Sequence, residues 1–226
     1  MYIRNYSTNE EVVYKAHERK NHNSIKNDDI LPKYLGGIIG DHDTTLYSYG
    51  TKNCECNIHL GRYLEEIIQN VKNIGWPKEM KELIFDVHNK RKKLIDLGKT
   101  NFEQDIITSV EKKYDEILKK ALMENQTISS TFYKDKAFKL YRRLKKYKEN
   151  HLYFIHDFKV WFDNNTSERD LRIIKNKTKI SGGFRSKDGA DAYVNALSII
   201  KTSIKKNINP FESIQRVFRN ELLFQK

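Results

Sequence analysis

Two acidic residues, far apart in the chain, stand in sequence contexts typical of metal ligands. Asp41 follows the apolar run 34–40, which has the length of a buried strand, and it is the first charged residue at the carboxyl end of that strand. Open α/β sheets place their ligands at this end. Glu168 falls in the first turn of a predicted helix, after the short apolar segment 160–162. Carboxylate oxygens bind hard divalent cations, and two such cations about 4 Å apart stabilise both the attacking and the leaving oxygen of a phosphodiester. One interpretation of the pair is therefore a site that binds Mg²⁺ (or Mn²⁺) and acts on a phosphodiester.

Each of these residues has a competing interpretation. Asn165 and Glu168 have the spacing of the N-cap and N3 positions of a helix, so Glu168 could simply complete a capping box. Asp43 lies two residues beyond Asp41, on the same side of an extended chain, and is the second choice for the ligand at this strand end.

Cys54, Cys56 and His59 raise the separate question of zinc. Structural zinc usually has four ligands, and His42 is the nearest candidate for the fourth. Two cysteines so close together cannot staple a fold, which fits a reducing compartment. Zinc therefore stays an alternative use of this segment.

The composition points to a polyanionic partner. The 226 residues carry 42 Lys and Arg against 30 Asp and Glu, a formal net charge of +12, and nucleic acid is the usual partner of such a surplus. An anionic membrane surface is the competing partner. No uninterrupted apolar stretch approaches the roughly 18 residues of a membrane span, and the N-terminus lacks an apolar signal core. We therefore expect a cytoplasmic protein without a membrane segment.

The order of predicted elements is strands, then a helical block, then further helices. Two short runs around Ile3 and Val13, joined by the polar residues 7–10, predict a hairpin. From about residue 59 the apolar spacing changes from two to 3.6, and it predicts helices over 59–71, 77–98, 102–123 and 134–150. Segment 160–162 is strand-like, and further helices are predicted to begin near Asn165, Asp188 and Pro210. The buried positions expected in the second of these helices are Ala190, Val194, Leu197 and Ile204. An α/β domain with a helical insertion fits this order.

Two predicted helices are rich in basic residues. One lies in the helical block and the other follows Glu168. Both could be solvated helix faces, or they could contact DNA phosphates. The residues that we expect to contact DNA are Arg142, Arg143, Lys145, Lys146, Arg169, Arg172, Lys175, Lys177 and Arg185.

Four motifs, in the same order along the chain, resemble those of the bacterial insertion-sequence-66 transposases. The resemblance covers nearly the whole chain. The matching segments are Gly40-Asp41-His42-Asp43, Cys56-Asn-Ile-His59-Leu-Gly-Arg62, Asp163-Asn164-Asn165-Thr-Ser-Glu168-Arg169 with Ser181-Gly182-Gly183-Phe184, and Ala192-Tyr193 to Asn209-Pro210.

The resemblance implies a ribonuclease-H-like core, which is a short mixed sheet flanked by helices, with a large all-helical insertion. Residues 1–60 would begin the core, 61–158 would form the insertion and 159–226 would complete the core. The implied activity is metal-dependent cleavage and transfer of DNA strands by an Asp-Asp-Glu site, with Asp41 as the second acidic ligand and Glu168 as the third. The implied partner is DNA, both the transposon ends and the target. The implied location is the bacterial nucleoid. A homo-oligomer is compatible with the implied assembly on DNA. Residues expected to assist at the site are Asp43, Asp163, Asn164, Cys56, His59 and Arg62.

The departure from the family pattern is at the start. The first Asp of the family lies on a strand before the hairpin, whereas Met1 already opens the segment that follows that strand. We therefore expect an N-terminally truncated transposase that is inactive by itself. The alternatives are a non-catalytic nucleic-acid-binding remnant of a transposase and an unrelated acidic-site nuclease.

Overall fold

The structure, a computed structural model, describes residues 1–224. The strands are β1 (Tyr2–Ser7), β2 (Val12–His17), β3 (Gly37–Gly40) and β4 (Lys52–Glu55). The helices are α1 (His22–Asp28), α2 (Asn57–Asn70), α3 (Trp76–Asp96), α4 (Gln104–Glu124), α5 (Thr131–Lys146), α6 (Lys148–His156), α7 (Asn165–Ser181), α8 (Lys187–Lys205) and α9 (Pro210–Phe218). Short 3₁₀ turns cover Leu31–Lys33, Thr44–Ser48 and Asn125–Thr127.

The chain divides into two compact units. The first combines Met1–Lys33 with Asn164–Lys226, and the second is Tyr34–Asp163. Each contains one two-stranded sheet among the described residues, and helices make up most of the rest. The mixed α/β class is thus confirmed.

In the first unit the predicted hairpin is present. β1 and β2 pair antiparallel, with Ser7 opposite Val12. Val12, Tyr14 and Ala16 alternate along β2 and are buried, together with Val194 of α8 and its neighbours. Period-two burial of this kind is what allows a short strand to be read from sequence.

Side-chain hydroxyls of α8 cover the outer edge of β2. Thr202 Oγ1 accepts from the backbone N–H of Val12 at 3.1 Å and donates to the Val12 carbonyl at 3.0 Å. Ser198 Oγ accepts from the backbone N–H of Tyr14 at 2.9 Å. These bonds satisfy backbone groups that would otherwise be left unpaired at a buried strand edge. Ile204, which we expected to be buried on the same helix, is 52% exposed.

In the second unit β3 and β4 form a parallel pair, with Gly40 opposite Glu55. The predicted strand before Asp41 is therefore present. The expectation that it is buried is wrong, because its residues are exposed or half-buried and β4 is its one strand partner among residues 1–224. β4 was not predicted, since Lys52-Asn53-Cys54-Glu55 has no apolar alternation.

The helices α2 to α6 share one apolar core, which includes Leu64, Trp76 and Tyr114. Pro77 lies in the first turn of α3, and Gly98 follows its end at φ +75°, both as predicted. The predicted helix 134–150 is instead two helices, α5 and α6, separated at Tyr147.

The strand predicted at residues 160–162 does not form. The backbone carbonyls of Phe158 and Val160 accept from Nη2 of Arg91 at 2.6 and 2.5 Å, instead of from a neighbouring strand. Phe162 is buried, and its ring stacks on that of His88 with the centroids 3.7 Å apart. The segment thus packs its aromatic side chains into the helical core, which local apolarity alone does not distinguish from a strand.

No helix within residues 1–224 combines the length and the apolar character needed to cross a membrane.

We predict that Thr202→Val lowers the free energy of unfolding by about 1–3 kcal/mol, because the N–H and C=O of Val12 lose their partner while they stay buried. Thr202→Ser is the matched control, since it keeps the hydroxyl and loses only a methyl group. Urea unfolding followed by circular dichroism measures both. Equal losses in the two variants would contradict a role for the hydroxyl at the β2 edge.

Candidate active site

Asp41 lies one residue beyond β3, at the carboxyl end of the parallel pair. Its side chain is 40% exposed, and its Oδ2 lies 3.4 Å from Nε2 of His59. The two residues meet because the N–H of Cys56 donates to the carbonyl of Gly40 at 2.9 Å, so α2 begins beside the end of β3. Arg62 follows one turn later on α2, with Nη1 3.5 Å from Nε2 of His59. The structure therefore brings the Cys56, His59 and Arg62 motif to Asp41.

The donor chemistry of Asp41 fits magnesium. An exposed carboxylate offers the hard oxygen ligand that Mg²⁺ prefers, but a Mg²⁺ site usually has one or two carboxylates together with water or phosphate oxygens. Within the described chain, no group of three or more His, Cys, Asp or Glu residues is arranged to hold a metal ion. Asp41 can therefore serve as one ligand of such an ion, alongside oxygens from other groups.

The cysteines have a different character. Both Cys54 and Cys56 are free thiols and are buried. Burial raises the pKa of Cys54 to about 12. Within residues 1–224 neither thiol belongs to a group of three or more His, Cys, Asp or Glu side chains arranged to hold a metal ion, so the zinc interpretation has no geometric support.

Asp43 is engaged in a local turn. Its Oδ1 accepts from the backbone N–H of Thr45 at 3.2 Å and from the Thr45 hydroxyl at 2.5 Å, which caps the 3₁₀ turn Thr44–Ser48. This use of the side chain supports the preference for Asp41 as the ligand at this strand end.

Glu168 lies in the first turn of α7 and is half-buried. The N-cap is Asn164, and its carbonyl accepts from the N–H of Glu168 at 3.1 Å. Asn165 is therefore the first helical residue and Glu168 the fourth. The predicted capping box needs Asn165 at the N-cap, whereas the structure assigns that position to Asn164.

The N3 position belongs to Ser167, which is fixed by a residue that sequence reasoning missed. Asn5 on β1 donates from Nδ2 to the carbonyl of Ser167 at 3.0 Å, and its Oδ1 accepts from the Ser167 hydroxyl, also at 3.0 Å. These two hydrogen bonds tie the first turn of α7, which carries Glu168, to β1. Asn164 is 9% exposed, and its Oδ1 has no hydrogen-bond partner among the described residues.

A second missed group surrounds Glu55, the last residue of β4. Its carboxylate is buried and accepts from Nδ1 of His42 at 2.6 Å, from the Tyr47 hydroxyl, and from Nη2 of Arg143 at 2.5 Å. No sequence motif marked it, because its partners come from two other segments, the stretch 42–47 after β3 and helix α5.

The basic residues of α5 and α7 differ in their surroundings. Most of the predicted DNA contacts are exposed, and this group consists of Arg142, Lys145, Lys146, Arg169, Arg172, Lys175 and Arg185. Lys177 is half-buried, with Nζ 4.4 Å from the ring centre of Phe184 and 4.9 Å from that of Tyr193. The side chain of Arg143 is only 11% exposed and is paired with Glu55, so the interpretation of Arg143 as a phosphate contact is replaced by a structural one.

Comparison with known proteins identifies the family. Neither a curated protein nor a solved structure matches the chain. A model described as the IS66 family of transposases matches residues 1–192, a span that includes the segments of Asp41, His59 and Glu168. The chain therefore belongs to the IS66 transposase family.

Proposed function

We propose that the chain is the catalytic part of an insertion-sequence transposase of the Asp-Asp-Glu type, which cleaves and transfers DNA strands with Mg²⁺ or Mn²⁺. The observation that carries the proposal is the family match over residues 1–192, since it spans both acidic motifs in their family order. Membership of the family supports DNA processing as the reaction class, and the residue assignments below depend on the motifs.

In this proposal Asp41 and Glu168 are the second and third acidic ligands. The metal ions would neutralise charge that develops on the scissile phosphate and on the leaving oxygen. The chain's own contribution is to hold the ligands still, because electrostatic stabilisation of a transition state requires a preorganised site. His59 is placed to orient Asp41, and Asn5 is placed to orient the turn that carries Glu168.

We also propose the ribonuclease-H-like core, with residues 61–158 as its insertion and residues 159–226 completing it. Both sheets have two strands in the described part of the chain, and an isolated two-stranded sheet is marginally stable at best. Because the hydroxyls of Ser198 and Thr202 cover the outer edge of β2, β1 offers the edge at which a further strand would extend the sheet. The family's strand with the first Asp is the proposed addition.

The exposed basic residues of α5, and separately those of α7, are the proposed DNA contacts. Their Lys and Arg side chains can track phosphates without reading the bases, so binding should show little sequence preference. Either set of contacts alone would also suit the alternative function, a non-catalytic DNA-binding remnant. Catalysis therefore separates the two functions, whereas DNA binding does not.

For DNA binding, we predict that replacing Arg142, Lys145 and Lys146 with Gln flattens the dependence of log affinity on log salt concentration. Each lost phosphate contact lowers the magnitude of the slope by about 0.9 for duplex DNA, so a change of about 2–3 is expected if all three residues contact phosphates. Fluorescence anisotropy at several salt concentrations measures the slope.

The matched control for this experiment removes the same charge from another helix. Lys112, Lys113 and Lys119 are exposed on α4, and their replacement with Gln should leave the slope near that of the parent. If both triple variants change the slope equally, net charge rather than a defined α5 surface governs binding.

For catalysis, we predict that a polypeptide of these 226 residues does not transfer strands by itself, since the motif matching assigns it two of the three acidic ligands. Extension by the family's preceding strand, with its Asp, should produce Mg²⁺-dependent cleavage of a transposon-end substrate. In that longer protein Asp41→Asn and Glu168→Gln should each abolish cleavage, whereas Glu82→Gln, at an exposed carboxylate of α3, should not. Persistent cleavage by the Glu168→Gln protein would refute the ligand assignment.

A further inference from the structure

Glu55 pairs across the sheet with Gly40, the residue before Asp41, but the proposed metal site does not use its buried carboxylate. The side chain of Glu55 has no exposed surface, and an ionised carboxylate in such a position is costly unless charged and hydrogen-bonding partners compensate it. The buried charge of Glu55, at the carboxyl end of β4 beside the proposed site, therefore requires a structural explanation.

The partners of Glu55 fix its orientation. Oε1 accepts from Nδ1 of His42 and from the Tyr47 hydroxyl, and Oε2 accepts from Arg143. Because an ionised carboxylate can only accept, Nδ1 of His42 must carry a proton. The Arg143 guanidinium also lies over the ring of Tyr63, 5.1 Å from its centre.

Glu55 is ionised at neutral pH. Burial by itself would raise the pKa of Glu55, but His151, the hydrogen bonds from Tyr47 and His42, and Arg143 outweigh it, so the pKa is lowered. Arg143 is a partner whose positive charge persists at neutral pH, because a guanidinium is not deprotonated in proteins.

Residues 55 and 56, at the end of β4, form hydrogen bonds with both sequence neighbours of Asp41, Gly40 and His42. On one side Gly40 accepts a hydrogen bond from the N–H of Cys56. On the other side His42 is bound through its side chain to Glu55, the residue before Cys56. His42 has φ +36°, in the left-handed region, which non-glycine residues adopt infrequently and only where their surroundings impose it.

We infer that Glu55 is a positioning residue for Asp41, acting through His42, and that Arg143 holds Glu55 in place from α5. The inference rests on the proposed role of Asp41 as a metal ligand. The inference connects the helical block to the site, because Arg143 of α5 fixes Glu55, and Glu55 in turn fixes the turn after β3 through His42. Groups that orient a ligand from behind in this way commonly change metal affinity or activity by about 10–100-fold when they are replaced.

The test uses the 226-residue chain with Mn²⁺ as the probe. The paramagnetic ion broadens amide NMR signals near its binding site, and titration of the broadening at residues 40–42 gives an apparent affinity. Glu55→Gln and His42→Gly should each weaken this affinity by about 10-fold or more. His42→Gly keeps the backbone conformation available, because glycine adopts φ +36° without strain, while it removes the donor to Glu55. Amide chemical shifts outside residues 40–55 that match those of the parent would establish that this variant folds.

Two comparisons complete the design. His156→Gln is the matched control, since His156 forms a His–Glu pair with Glu111 at 3.2 Å on an exposed surface of the same unit, and it should leave Mn²⁺ affinity unchanged. Arg143→Lys should keep more of the affinity than Arg143→Met, because Lys retains the charge that balances Glu55.

The possible outcomes separate the inference from the function on which it rests. If Asp41→Asn removes the broadening but Glu55→Gln and His42→Gly bind Mn²⁺ as tightly as the parent, the positioning role is overturned and the ligand assignment stands. If the parent shows no broadening at residues 40–42, or if Asp41→Asn leaves it intact, the ligand assignment itself fails. Should Glu55→Gln not fold, the His42→Gly and Arg143 variants decide.

Discussion

A buried carboxylate must be matched by donors, and in the second unit this requirement joins the end of β4 to the segment after β3 and to the distant helix α5. Glu55 draws His42 and Tyr47 from the segment after β3, and Arg143 from α5. Removing one partner of such a group leaves an uncompensated charge in the interior, which costs far more than a surface ion pair is worth. The contacts of Glu55 therefore hold the turn after Asp41 and helix α5 together. The short β3–β4 pair is not the sole element that fixes this turn.

The first unit solves an analogous problem with neutral groups. The edge of β2 is satisfied by Thr202 and Ser198 rather than by a third strand, and a polar bridge from Asn5 fixes the start of α7. Such side-chain bonds to backbone groups are weak one at a time, but each prevents the larger cost of a buried unpaired group. Helix positions in this unit are consequently set by hydroxyls and amides as well as by apolar contacts.

These interactions explain which parts of the fold could be predicted from sequence. The hairpin and most helices were predicted because their signals are local, as in the alternation of Val12, Tyr14 and Ala16 or the Pro77 start of α3. β4 and the irregular segment 160–162 were not, because the first depends on pairing with β3 and the second on Arg91. Tertiary partners of this kind leave no periodic pattern in the sequence.

The residues of the candidate site likewise differ in whether they could be predicted from the sequence. Motifs identified Asp41 and Glu168 as candidate ligands, and the structure adds that the N-cap of α7 is Asn164, one residue before the N-cap that the sequence predicts. Neither Asn5 nor Glu55 could be found from sequence, since nothing in their local context distinguishes them from other polar residues in strands. The proposed metal ligands stand in motifs, whereas the residues proposed to position them are recognisable only from their contacts.

The positive charges of the chain fall into two groups, those in interior contacts and those on the exposed surface. The surplus of +12 suggests a polyanion partner, but several cations are committed to interior contacts. Arg143 is paired with Glu55, Arg91 with backbone carbonyls, and Lys205 with Asp170 at 2.7 Å. A cation bound in this way cannot also neutralise a phosphate without breaking a buried contact. The proposal of DNA contacts therefore concerns the exposed residues of α5 and α7 rather than net charge. Arg143 is committed to Glu55, whereas its neighbour Arg142 is exposed.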